Sequence, residues 1–253
     1  MRIKALLDDL VLDKNTQKEL FSHPDPLQIA SIYKNPIIAL ICALFAYGNA
    51  KNIVNFLQKL DFSLLESNEK TIMQESKNLK YRFQNSQDIA QIFITLKRLQ
   101  NEDSIENIFT KAYKKEQNII DAISNFIDTI YKINPYRSYG YEFFFSKKFQ
   151  KPKSTFKRYN MYLRWMVRKD EIDLGLFKNI DKKDLLIPLD THTHKISLEL
   201  KLLRRKIYDF KSVLELTKNL QKLDPKDPIK YDFALYRIGQ NKEILWSLSS
   251  AIM

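Results

Sequence analysis

Glycine is scarce. Only 4 of the 253 residues are glycine, about a quarter of ordinary usage. Sandwiches, barrels and doubly wound sheets need many tight turns whose positive-φ positions glycine supplies, so the scarcity argues against all three. The four glycines are far apart in the chain, which excludes a Gly-rich phosphate loop. Cysteine is rarer still. Cys42 alone excludes a disulfide framework and any four-cysteine zinc or iron–sulfur site. Long hydrophobic runs are missing too. The longest apolar stretch, residues 36–47, is too short to cross a bilayer. Residues 1–13 carry charges in every turn and no signal-peptide core. These absences predict a soluble protein of a reducing compartment: cytoplasmic, and nucleoid-associated if it binds DNA.

What is present points elsewhere. Apolar residues make up 44% of the chain, which excludes wholesale disorder. The length allows one large domain or two small ones. Lys+Arg total 42 against 30 Asp+Glu, a formal charge of 42 − 30 = +12. Genome base composition is one source of excess lysine. A polyanionic partner, most simply nucleic acid, is the other reading.

The apolar spacing is helical throughout. Leu6, Leu7, Leu10 and Val11 recur at i, i+3 and i+4, as do Ile38, Ile41, Cys42 and Phe45. The pattern continues to residues 229–238. Start signals agree with it. Asp25-Pro26 and Asp227-Pro228 place an acid before proline at a first helical position. Ser104 with Asn107, and Ser154 after Pro152, read as further helix starts. Gly239 reads as a helix stop. His192 and His194, two apart, point to different helix faces, so no metal site is expected.

Two segments stand out. The first is a helix starting near Lys157, with Lys157, Arg164 and Arg168 near one face. The second is an apolar segment turned by Pro188 and followed by a helix capped by Asp190. On residue type alone Asp190 is a helix cap, and Lys157 is one lysine of a basic face.

Pro188-Leu189-Asp190-Thr191-His192, with Lys157-Arg158-Tyr159-Asn160-Met161-Tyr162-Leu163 upstream, resembles the helix-hairpin-helix DNA glycosylases. The Lys-to-Asp spacing, 190 − 157 = 33 residues, is similar to that of the archaeal 8-oxoguanine glycosylase branch. Tyr47-Gly48-Asn49 resembles the turn that brings wedge residues to the DNA in that family, and Tyr81-Arg82-Phe83 a turn before the following helix. One departure is plain: the family's Gly-x-Gly hairpin is replaced by residues 150–156, which contain no glycine. Lys151, Lys153 and a helix N-terminus are the expected substitutes for its phosphate-binding amides. Lys153 is also the alternative to Lys157 as the counterpart of the family's lysine.

The resemblance implies an all-α fold of two helical subdomains with a basic active-site cleft between them. Residues 36–185 would form a barrel-like domain carrying Lys157. Residues 1–35 plus 186–253 would form a second domain carrying Asp190 and the base-pocket helix. The implied activity is bifunctional: glycosylase and AP lyase on oxidised purine, 8-oxoguanine, in double-stranded DNA. It needs no cofactor, no metal and no iron–sulfur cluster, and a monomer suffices. Asp190 would stabilise positive charge on the deoxyribose, and Lys157 would attack the anomeric carbon. A lysine amine ordinarily titrates near about 10.4, so cationic Arg158 and Arg164 are expected to help free it. Asp232, Phe233 and Tyr236, with Gln28, are the expected base-binding residues. Tyr47, Asn49, Lys51, Lys151, Lys153, Arg158, Arg164 and His192 are the expected DNA contacts. The rival readings are a glycosylase for an alkylated purine or oxidised pyrimidine, and a non-catalytic helical protein that binds nucleic acid.

Overall fold

The computed structural model describes residues 2–149 and 151–241. Residues 242–253, the end of the expected second domain, lie outside the described residues. Fourteen α-helices and three short 3-10 turns make up the described chain, with no strand among the described residues. The all-α expectation therefore holds. No described helix is long and apolar enough to cross a membrane.

The chain divides into two compact units, Ile29–Lys151 and Met1–Gln28 with Pro152–Met253. The expected boundaries at 36 and 185 move accordingly. Lys157 leaves the barrel-like segment and joins the unit that holds Asp190.

Ile29–Lys151 is built around the Pro36–Leu44 helix, which is buried from Ile37 to Leu44. An apolar helix with no polar face must be enclosed on all sides. Asn35 starts it by accepting from the amides of Ile37 and Ile38. Beyond its end, the Phe45 ring meets Phe56 and Tyr81 edge-on. The Ser86–Glu102 helix opens with a capping box between Asn85 and Asp88. The helices Ile105–Glu116 and Ile119–Ile133 form a hairpin closed by Gln117 in the left-handed conformation. Ser104 caps the first of these on the Asn107 amide, as its sequence predicts.

In the other unit, the Lys157–Val167 helix buries every residue from Tyr159 to Met166. It starts two residues later than a Ser154 cap predicts. Phe156 takes the left-handed conformation at its N-cap, and no side chain caps the first turn. The Thr191–Glu199 helix packs on the Asp232–Asn241 helix. Gly239 sits inside the latter rather than ending it. A Cβ there would come within 2.9 Å of His192 Cβ and 3.1 Å of its carbonyl oxygen. This glycine serves helix contact, not helix termination. Asp227 also departs from expectation. It makes no side-chain cap and pairs instead with Arg168 at 2.8 Å. A 3-10 turn, Pro228–Tyr231, precedes the α-helix.

Candidate functional site

Two helix N-termini create the site. Lys157 is the first residue of its helix, and Asp190 is the N-cap of Thr191–Glu199. Asp190 Oδ1 accepts from the Thr193 amide at 2.8 Å. Its other oxygen, Oδ2, lies 3.4 Å from Lys157 Nζ. Capping and pairing thus use different oxygens of one carboxylate. The Lys157 side chain keeps 30% of its exposure and Asp190 keeps 12%. The Tyr236 ring centroid is 6.0 Å from the amine.

The segment leading into Asp190 is anchored by Tyr208. Its hydroxyl donates to the Leu189 carbonyl at 2.8 Å and accepts from Thr155 Oγ1 at 3.3 Å. Thr155 lies two residues before Lys157, so one phenol ties together the approaches to both members of the pair.

Behind the pair lies a layer of buried charge. Arg164 donates to Asp232 at 2.6 Å and to Asp173 at 3.2 Å. Burial pushes the Asp232 carboxyl up to about 6; Arg164 opposes the rise and the nearby Asp190 adds to it. Arg237 is wholly buried. It donates to the Leu20 carbonyl at 3.2 Å and lies 3.7 Å from Asp25. Burial raises the Asp25 carboxyl, against the pull of Arg237. Among the described residues, no cluster of three or more His, Cys, Asp or Glu is placed to hold a metal ion.

Asp25, Lys157, Asp190, Asp232 and Arg237 all fall within residues 25–241, the stretch matched by the profile of a family described as a protein of unknown function (DUF2400). The chain belongs to the DUF2400 family. Comparison with curated proteins and with solved structures gives no match.

The expected base-binding residues of this DUF2400 protein divide sharply. Tyr236 is half-buried beside Lys157. Phe233 is 3% exposed, with the Arg164 and Arg237 guanidinium carbons 5.8 and 4.7 Å from its ring centroid. It stacks on cations inside the protein and offers no face to a base. Asp232 is buried against Arg164. Gln28 spends its amide on the carbonyls of Leu20 and His23, at 2.8 and 2.7 Å.

Arg164 requires the clearest correction as a DNA contact. At 3% exposure and paired with two carboxylates, it cannot reach a phosphate. That same pairing offsets the charge expected to act on Lys157. Lys151 and Lys153 are exposed, and Arg158 is half-buried. Exposed His192 bonds the Gly239 carbonyl through Nδ1 at 3.2 Å. In the Ile29–Lys151 unit of the DUF2400 chain, Tyr47 bonds Gln84 through its hydroxyl. Asn49 caps the Ala50–Leu57 helix, and Lys51 is exposed.

Sequence reasoning missed three residues here. Tyr208 carried no motif. Arg237, one position beyond Tyr236, is singled out by no motif. Asp25 reads in the sequence only as a cap, which it is: Oδ1 accepts from the Leu27 amide at 2.9 Å. The i, i+4 spacing of Phe233 and Arg237 was the one available signal, since it places a cation on an aromatic ring within a helix.

Proposed function

We propose that this protein is a DNA N-glycosylase with AP lyase activity, acting on oxidised purine, 8-oxoguanine, in duplex DNA. The observation that carries the reading is the 3.4 Å approach of Lys157 Nζ to Asp190 Oδ2 within one unit of the chain. A nucleophilic amine beside a carboxylate is what this reaction asks for. The Asp190 carboxylate stabilises positive charge at C1′ as the bond to the purine breaks, and the bond's electrons leave with the base. The Lys157 ammonium must first give up a proton to solvent; the amine then forms a bond to C1′. The proton it releases balances the charge of the departing base. Opening of the sugar ring, with protonation of its oxygen, yields an iminium. Loss of a C2′ proton then expels the 3′ phosphate, and water releases the lysine.

Gln28, Asp232 and Phe233 are committed to internal contacts. Lesion choice therefore falls to exposed or half-exposed groups such as Tyr236 and His192. This observation keeps alkylated purines and oxidised pyrimidines in the test panel. The test is incubation with duplexes carrying each lesion, followed by borohydride, which reduces the iminium to a stable covalent adduct. An adduct that disappears in Lys157→Gln supports the proposal. No adduct with any lesion refutes the lyase activity. An adduct at full yield in Lys157→Gln refutes the residue, and Lys153→Gln then tests the alternative.

A further inference from the structure

The Ile29–Lys151 unit holds a second polar site that owes nothing to the Lys157–Asp190 pair. A cavity of about 430 Å³ opens between the Ala50–Leu57 helix and the loop at residues 78–82. Asn52, Asn55 and Phe56, with Lys59 just past the helix end, line one side. Their spacing of three, four and seven residues keeps them on one helix face. Asn78 and Lys80 line the other side. The floor is aromatic, with the Phe56 and Tyr81 rings stacked at 4.5 Å between centroids and 24° between planes. The Tyr81 hydroxyl is fixed on the Tyr47 carbonyl at 2.8 Å.

Two features make this more than a solvated surface. No lining residue carries a carboxylate, so the lysines face no counter-charge within the cavity. Further, among the described residues the side chains of Asn52, Asn55, Lys59, Asn78 and Lys80 form no hydrogen bond or ion pair with the protein. Some exposed cations elsewhere do have acids beside them, as Arg98 has Glu69 at 2.7 Å and Lys111 has Asp103 at 2.7 Å.

From this geometry we infer that the cavity binds a nucleoside phosphate, with Lys59 and Lys80 on the phosphate and the asparagine amides on the base edge. Ammonium groups suit a phosphate as strongly hydrated point charges. A side-chain amide offers a donor and an acceptor together, the pattern a base edge presents. The volume lies in the range of small-ligand pockets, about 300–1,000 Å³. The ligand is either a free mononucleotide or one nucleotide of a single strand.

Calorimetric titration of the full chain with nucleoside 5′-monophosphates, the parent nucleosides, inorganic phosphate and a short single-stranded oligonucleotide tests this. A monophosphate or the oligonucleotide should bind, with nucleoside and inorganic phosphate each weaker by about tenfold or more. The Lys59→Ala/Lys80→Ala and Asn52→Ala/Asn55→Ala variants should each weaken it by about tenfold. All four positions are exposed, so the melting curve should not move. Preference for the monophosphate assigns a free nucleotide, and preference for the oligonucleotide assigns a strand. The proposal is overturned if neither ligand binds, if inorganic phosphate binds equally well, or if both double variants bind normally. Repeating the titration in Lys157→Gln keeps this outcome separate from the fate of the lyase reading, because the variant should bind unchanged.

Discussion

Replacing Arg164 by methionine should destabilise the fold by about 3–5 kcal/mol at neutral pH, the usual cost of stripping one partner from a buried ion pair. The structure sets the size of the effect. The Arg164, Asp173 and Asp232 side chains are 4%, 0% and 6% exposed. Asp173 would keep Arg168, whereas Asp232 would lose the cation that opposes its burial. Folded Asp232 already titrates at about 6 against an ordinary 3.8, a gap worth about 3 kcal/mol at roughly 1.36 kcal/mol per pKa unit. Because its folded value is raised, the folded state binds the proton more tightly than the unfolded state. This contribution therefore erodes stability as pH climbs from about 4 to about 6 and is fully felt above that range. Without Arg164 the folded value climbs further, so the penalty keeps growing toward neutral pH. Urea unfolding of wild type and Arg164→Met near pH 5 and near pH 8 measures it. The deficit should be large at the higher pH and smaller at the lower. A deficit under about 1 kcal/mol near neutrality, or one independent of pH, would refute the reasoning.

Three further outcomes follow from the same geometry. Asp190→Asn retains an oxygen for the Thr193 amide and should leave stability within about 0.5 kcal/mol, whereas Asp190→Ala should lose about 1 kcal/mol. Both should abolish nicking of lesion duplexes, and normal nicking by Asp190→Asn would reduce this residue to a cap. Gly239→Ala should lower the melting temperature, because crowding His192 costs about 1–3 kcal/mol against about 1 kcal/mol of gained helix propensity; a raised melting temperature would contradict the packing. Cys42 is fully buried with its thiol pushed far up by burial, so an aromatic disulfide reagent should label it only in denaturant. Rapid labelling of the native protein would count against the enclosed Pro36–Leu44 helix.

What the sequence made legible is what local physics decides. The helical spacing, the caps at Asn107's partner Ser104 and at Asp190, and the enclosure of an all-apolar helix each depend on residues a few positions apart. Local rules place Lys157 and Asp190 at the starts of their helices; only the resemblance to the glycosylases singles them out as a pair. The readings that changed turn on contacts between distant segments. Gly239 satisfies every local rule for a helix stop, yet its neighbour across the contact is His192, 47 residues earlier (239 − 192 = 47). Arg164 looks like a surface cation until Asp232, 68 residues away, closes on it.

The same distinction bears on the net charge of +12. Arg164, Arg168 and Arg237 are 3%, 5% and 0% exposed. Their planar, multi-donor heads suit carboxylate and ring partners inside the protein. Lys51, Lys59, Lys80, Lys151 and Lys153 remain outside. Any attraction for a polyanion then falls to these lysines and to exposed arginines such as Arg82 and Arg204, while the three buried arginines act on stability. Lys153→Gln should lower the slope of log affinity for DNA against log salt by about 1 if it meets a phosphate. Arg168→Gln should leave that slope alone and lower the melting temperature, because it strips Asp173 and Asp227 of a partner. An Arg168 variant that kept wild-type stability but lost salt dependence would reverse the division of labour.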